Sequence, residues 1–568
     1  MYRFEVASLK GYLGDDIVNT LIEWTPNGDT LLTRKRLIGM INSVYGMNVF
    51  KNRRFRTELL LSMKEEDILE IGNNCLLGEE KKEKSPINIV KMIANKPWGK
   101  NSTSKYLANV WGIEDAVFEK DKKSDIETIN KITSEDRFYE LLDYQYYIKQ
   151  RILSILNSGN TLERLFVHMP TGTGKTKTSM HTIVNYMQFT LNKKGLVIWV
   201  AHTTELLQQA YDTFINVWEH LGDGDATAYK LWGANAILDN EMYLNGIAFC
   251  GLAKLISIMK SNPILFERLR KDCRLIVFDE AHKAAATETR AAMEALMTMK
   301  DGVDNRALIG LSATPGRTTQ SSVDNDLLSN MFGNKLVYID PDILNQINYG
   351  KLKALNISAE TNIIHYFQEQ RILAKLTVNK LDYKAEFTEE ELAELSKDLN
   401  VMGLEDVTEK QLKILARNKD RNLCIMQKIR TLHVEKTPTI IFACSVDHAK
   451  MLSAMLLLEN IPNRLILGEM NPVDRKRAIE EFKDRENDVD IIINYEVLTT
   501  GFDSKNIKCV FITRPTKSVV LYSQMLGRGL RGPLMGGNES CLLVDIEDNI
   551  SVFDNENAFS HFDDYWKV

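Results

Sequence analysis

Two glycines, a lysine and a threonine fall close together in "PTGTGKT", residues 170–176. Small residues let a backbone curl until several N–H groups point at one anion, and Gly172, Thr173 and Gly174 form such a run. Lys175 adds a cation able to reach the outer oxygens of a polyphosphate, and the Thr176 hydroxyl is a ligand suited to Mg2+. Loops of this kind usually open with glycine, whereas Met169 stands there in this chain. The glycines that permit close approach are those beside Lys175, so the first position matters little.

Acidic chemistry follows in "IVFDEAH", residues 276–282. Asp279, at the end of an apolar run, is suited to hold the metal, and Glu280 to orient and polarise an attacking water. Near the far end, "YSQMLGRGLRGP" (522–533) carries Arg528 and Arg531, three apart and on one face if the segment is helical. Guanidinium groups suit the charge that develops on a transferred phosphoryl group. Taken alone, the pair also fits a basic helix end neutralised by nearby acids. Together the three groups imply ATP and Mg2+ as cofactors, with the arginines acting when their domain closes on the loop.

These residues need buried strands to carry them. From about residue 136 short apolar runs alternate with helical stretches: "RLFVH" (164–168), "GLVIWVAH" (195–202), "GIAFCG" (246–251), "RLIVFDE" (274–280) and "ALIGLSATP" (307–315). A second series comprises "TPTIIFACS" (437–445), "DIIINYE" (490–496), "KCVFITRP" (508–515) and "SCLLVDI" (540–546). Continuous Val/Ile/Leu runs separated by helices predict parallel strands buried on both faces. The expected division is a mainly helical region over 1–135, α/β domains over 136–335 and 431–568, and a helical linker or insertion over 336–430. Ser62 with Glu65, and Thr388 with Glu391, have the spacing of capping boxes.

A length of 568 residues exceeds one core, in keeping with about three domains. No apolar run approaches the roughly 20 residues of a membrane span, and no secretory segment follows "MYRFEVASLKGY", so a cytoplasmic protein is expected. The seven cysteines lack metal-ligand spacing and are expected to be reduced core residues. A net charge of −6 provides no global attraction to nucleic acid, so any such contact needs a local basic surface.

"MPTGTGKT", "FDEAH", "LSATP", "TTGFD" and "QMLGRGLR" occur in the order seen in superfamily 2 helicases and translocases, which the chain resembles over about 136–550. The resemblance implies two RecA-like parallel-sheet domains in tandem, ATP between them and nucleic acid across their top. It implies base recognition by Gln145 of "LLDYQYYI", and places Asp503 near the arginines. Ser312, Thr314, His282 and Gln524 would link hydrolysis to movement. Thr203, Gly251, Ser445, Thr500 and Gly501 would contact the strand. "TTGFD" followed by "QMLGRGLR" looks most like restriction-enzyme motor subunits and DNA-repair helicases, implying DNA as partner and a setting in phage defence or DNA repair. An RNA helicase and an ATP-gated clamp that recruits a protein partner are the alternatives.

No acidic strand pattern of a metal nuclease stands outside the motor. "FKNRRFR" in the N-terminal region groups Lys51, Arg53, Arg54 and Arg56 with Phe50 and Phe55. That pattern fits a nucleic-acid track with stacking aromatics, and equally a solvated helix face with its aromatics turned inward. Docking of a protein partner is a further expectation for this region.

Overall fold

The computed structural model describes residues 1, 3–113, 129–133, 139–159, 162–233, 235, 245–284, 286–298, 306–314, 322–340, 363–384, 386–395, 406–484, 486–499, 505–516 and 518–546. Its first sheet comprises β1 (Ile129–Ile132), β2 (Leu162–His168), β3 (Leu196–Ala201), β4 (Ala226–Leu231), β5 (Gly246–Gly251), β6 (Cys273–Asp279), β7 (Arg306–Ser312) and β8 (Leu336–Val337). They lie in the order β1-β4-β5-β3-β6-β7-β2-β8, and only β1 runs antiparallel to its neighbour. The second sheet contains β9 (Lys375–Leu381), β10 (Thr439–Phe442), β11 (Arg464–Ile466), β12 (Ile491–Asn494), β13 (Cys509–Ile512) and β14 (Ser540–Ile546). Its order is β11-β12-β10-β13-β14-β9, all parallel.

Every residue of β3, β7, β10, β12 and β13 is buried, as expected of central parallel strands covered on both faces. Helices start just beyond the carboxyl ends of several strands. Thr203 caps Thr204–Leu221 after β3, Gly251 precedes Leu252–Ser261 after β5, and Ser445 caps Val446–Leu458 after β10. This wiring brings helix N-termini and strand ends to one rim of each sheet, where ligands of open parallel sheets bind.

Helical packing fills the N-terminal region, but it does not form an isolated unit. Leu37 and Ile41 of helix Arg34–Tyr45 belong to one apolar cluster with Leu452, Met455 and the second-sheet residues Ile491 and Phe511. Polar contacts pin the same face: Ser43 and Ser453 hydroxyls lie 3.3 Å apart, and the Met47 N–H donates to Asp474 Oδ2 at 3.2 Å. Asn48 Nδ2 donates to the Glu469 carbonyl at 2.9 Å.

Several expectations change here. Residues 129–132, assigned to the helical region, form β1 on the rim of the first sheet. The segment 375–381, assigned to a helical linker, is β9, whose mostly exposed "KLTVNKL" shows no apolar run. Helix Lys419–Val434, from the same stretch, buries Ile425, Met426 and Ile429 in the second lobe's core. Ser62 makes no capping box with Glu65: it ends helix Arg53–Leu61 and its hydroxyl donates to the Leu59 carbonyl at 2.6 Å. The Thr388 box does form, with N–H bonds of 2.9 and 3.2 Å to and from Glu391. All seven cysteines are free, six of them buried and Cys424 half-buried.

The basic cluster divides in two. Phe55 is fully buried edge-on against Phe4, Tyr12 and Phe50, and Phe50 stacks on Trp98 and Trp111. Arg56 is buried as well, donating to the carbonyls of Phe50 (2.5 Å), Lys51 (3.0 Å), Ala94 (2.7 Å) and Lys96 (3.1 Å). Only Lys51, Arg53 and Arg54 are exposed. Arg56 is therefore a structural tie between two chain segments, since a buried guanidinium and the four carbonyls it serves would each be unsatisfied alone. Arg56→Leu should destabilise the chain by about 3 kcal/mol in urea unfolding, against under about 0.5 kcal/mol for Arg53→Ala or Arg54→Ala.

A candidate nucleotide site between the two lobes

The loop after β2 is shaped by two left-handed glycines, Gly172 at φ 87° and Gly174 at φ 82°. A Cβ on Gly174 would lie 2.3 Å from Gln145 Nε2, so no larger residue fits the turn. Lys175 opens helix Lys175–Asn185, directing the first free N–H groups of that helix into the loop. Met169 is buried in the core and its N–H donates to the Ser312 carbonyl at 3.2 Å. The residue in place of the usual glycine thus anchors the loop from beneath.

Thr173 faces inward too. Its hydroxyl donates to the Pro170 carbonyl at 2.7 Å, while its own carbonyl accepts from Tyr144 Oη (2.6 Å) and Gln145 Nε2 (3.0 Å). Gln145 Oε1 accepts the Leu142 N–H at 3.0 Å. With its amide engaged at both ends and buried behind the loop, Gln145 does not line the cavity that the loop borders. Its amide holds the loop through Thr173, a contact its spacing alone could not reveal.

Beside the loop, Lys175 Nζ lies 3.4 Å from Glu280 Oε1 and 3.7 Å from Asp279 Oδ1. Asp279 ends β6, and Glu280 follows in a left-handed turn at φ 55°, its N–H donating to Asp279 Oδ1 at 3.0 Å. Burial pushes the Asp279 carboxyl above the usual range, with Lys175 acting against it. At Glu280 burial acts in the same sense, but Lys175, Lys283 and Arg528 outweigh it and hold that carboxyl low. Glu280 Oε2 lies 3.3 Å from His282 Nδ1, which in turn is 3.0 Å from the Ser312 hydroxyl; that oxygen accepts the Thr314 N–H at 3.1 Å. Burial lowers the His282 imidazole to about 4, so it is neutral near pH 7.

The second lobe closes the site. A cavity of about 360 Å³ is bordered by Gly172, Gly174, Lys175, Thr176, Asp279 and Glu280 on one side, and by Lys505, Gln524, Gly527, Arg528, Arg531 and Met535 on the other. The arginines do not share a helix face, because helix Val519–Leu526 ends before them. Arg528 sits in the following turn and Arg531 in an isolated bridge to Leu373. Segment 372–374 grips that stretch: the Ala374 N–H donates to the Leu530 carbonyl and the Gly532 N–H to the Ile372 carbonyl, both at 2.9 Å. Contact across the cleft is tight, since a Cβ on Gly527 would lie 2.4 Å from Thr171 Cγ2 and one on Gly172 3.2 Å from Leu373 Cδ2.

Gln524 also borders a second interlobe cavity of about 610 Å³, together with Thr203, His282, Lys283, Arg475 and Thr499. Arg475 Nη1 meets Glu205 Oε1 across it at 3.0 Å. Gly251 and Ser445 lie at helix starts outside that cavity, and Thr500, Gly501 and Asp503 are outside the described residues. Leu373, Arg475, Lys505 and Met535 escaped the sequence reading because none belongs to a motif. Tyr139 escaped it too: it borders the nucleotide cavity, stacks on His181 with ring centres 5.5 Å apart, and carries Lys177 Nζ 4.0 Å from its own.

Residues 138–317 match the family described as type III restriction enzyme, res subunit, and residues 421–532 match the helicase conserved C-terminal domain. These two matches, in this order, are consistent with a superfamily 2 helicase. A Saccharomyces cerevisiae relative provisionally named ATP-dependent helicase IRC3 is 25% identical over 414 residues, 71% of this chain and 51% of the relative. The type I restriction enzyme EcoAI endonuclease subunit of Escherichia coli is 24% identical over 423 residues, 72% of this chain and 47% of the relative. The chain therefore spans about half the length of these curated relatives. A solved fragment provisionally described as the HsdR subunit of a type I restriction enzyme from Vibrio vulnificus YJ016 aligns at 18% identity and a TM-score of 0.48, over 81% of this chain and 72% of that one. Shorter matches include proteins named as RNA helicases and as a DNA helicase. Among the described residues no helix is long and apolar enough to cross a membrane.

Two outcomes follow from this geometry. Gln145→Ala should raise KM for ATP by roughly tenfold in steady-state hydrolysis assays, because it loosens the loop at Thr173. Gly527→Val should lower kcat by roughly a hundredfold while nucleotide affinity, measured with a fluorescent analogue, stays within about threefold; the added methyls hold the arginines off.

Proposed function

We propose that the chain is a DNA-dependent ATPase that couples hydrolysis in the interlobe cleft to movement along DNA. The observation that carries this reading is a single cavity bordered by the phosphate loop, the Asp279–Glu280 pair and two arginines from the opposite lobe.

Its residues suit ATP with Mg2+. The left-handed glycines leave room for phosphate oxygens, and the Thr176 hydroxyl with the buried Asp279 carboxylate is a hard-oxygen donor set that would hold the metal. Lys175, at present shared by two carboxylates, would turn to the phosphate oxygens. When bound, ATP and its metal supply the scissile phosphoanhydride and the charge that neutralises its oxygens. Glu280, ionised near pH 7 and without a hydrogen bond at Oε2, would orient the attacking water. Arg528 and Arg531 would stabilise the charge spreading over the transferred group. His282, Ser312, Thr314 and Gln524 would carry the state of the site to the second cavity.

Strand binding at the rim of the sheets fits the helix starts at Thr203, Gly251 and Ser445, because helix N-termini favour phosphate. The restriction-enzyme relative and the "TTGFD" and "QMLGRGLR" motifs, which include Thr500, Gly501 and Asp503, favour DNA over RNA and a setting in phage defence.

ATP hydrolysis should be slow alone and rise at least about tenfold with DNA; stimulation by RNA alone would reject the substrate assignment. Lys175→Ala should abolish turnover, whereas Glu280→Gln should slow it by about 100-fold or more with ATP and DNA still bound.

A further inference from the structure

Residues 46–54 leave the second lobe at a particular place. The Met47 N–H donates to the Asp474 carboxylate and the Asn48 amide to the Glu469 carbonyl, each one residue along the chain from a residue bordering the second interlobe cavity, Arg475 and Gly468. The chain then runs outward through Phe50 and Lys51 to Arg53 and Arg54. Phe50 is buried beneath two half-buried indoles, Trp98 and Trp111, with ring centres 5.1 and 5.5 Å away and planes within 23°. Arg56 ties the Phe50–Lys51 carbonyls to those of Ala94 and Lys96, and so fixes the three cations relative to the tryptophans.

Three exposed cations within four residues, beside half-buried aromatic rings, match the needs of a single strand with sequence-tolerant stacking.

We infer that Lys51, Arg53 and Arg54, with Trp98 and Trp111, form an accessory track for the nucleic-acid strand where it leaves the interlobe cavity. The inference rests on the proposed motor function and extends it: the strand would be held by both lobes and also by the N-terminal helices. Continuity with the cavity through Met47 and Asn48 favours a nucleic-acid strand over an acidic protein surface as the occupant. None of the three cations takes part in the nucleotide cavity or has an assigned role in the core.

The test compares the full chain with a Lys51→Ala/Arg53→Ala/Arg54→Ala variant, using labelled DNA single strands of about 8 and about 30 nucleotides; the short one is within the site size of one groove. The variant should bind the long strand roughly tenfold more weakly, with the slope of log affinity against log salt reduced by about 2, as expected for three lost phosphate contacts. Short-strand affinity and maximal DNA-stimulated hydrolysis should be unchanged. Equal affinities of variant and wild type for the long strand would overturn the track, as would equal weakening for both lengths. A wild-type chain that binds neither length would instead remove the motor reading, and the track with it. A thermal melt matching wild type is expected for the variant, because all three side chains are exposed.

Discussion

One cation held between two buried carboxylates governs the architecture of this site. Lys175 lies within 4 Å of both Asp279 and Glu280, and all three are largely withdrawn from water. Desolvating an ion costs several kcal/mol, so a cluster with more negative than positive charge is stable only if further cations approach. Lys283 on the same lobe and Arg528 on the opposite one meet that need. Arg528 of the second lobe thus adds to the positive charge facing Glu280. Glycines at 172 and 527 allow the two backbones to come that close.

From this cluster a short polar chain leads away. Glu280, His282, Ser312 and Thr314 follow each other at separations of 3.0–3.3 Å, and His282 also faces the second interlobe cavity. Gln524 borders both cavities from the other lobe. These contacts run from Glu280 to His282 on one wall of the second cavity, with Gln524 on the other. Such contiguity is what a two-state coupling device requires.

Much of this was legible in the sequence, for definite reasons. Central strands such as β3 and β12 are short runs of apolar residues because helices cover both faces, and the pattern betrays them directly. Edge strands leave no such trace: β9 is mostly exposed, β11 spans three residues, and β1 is the polar "INKI". The phosphate loop and carboxylate pair were readable because local spacing alone creates them. The amide of Gln145 turns inward to Thr173, a tertiary contact that spacing does not show. Arg528 and Arg531 would share a face only if helical, and the helix stops at Leu526; segment 372–374, which carries no motif, holds their stretch beside the cavity. Likewise "FKNRRFR" mixed two jobs in seven letters, and only burial separated Arg56 from its exposed neighbours.

The N-terminal helices from Phe4 through Phe55 share one apolar cluster with the second sheet, while Leu60 to Leu107 build a cluster of their own. Pulling the first set away would uncover the interior of the second lobe, so these helices are part of that lobe's core and not a detachable module.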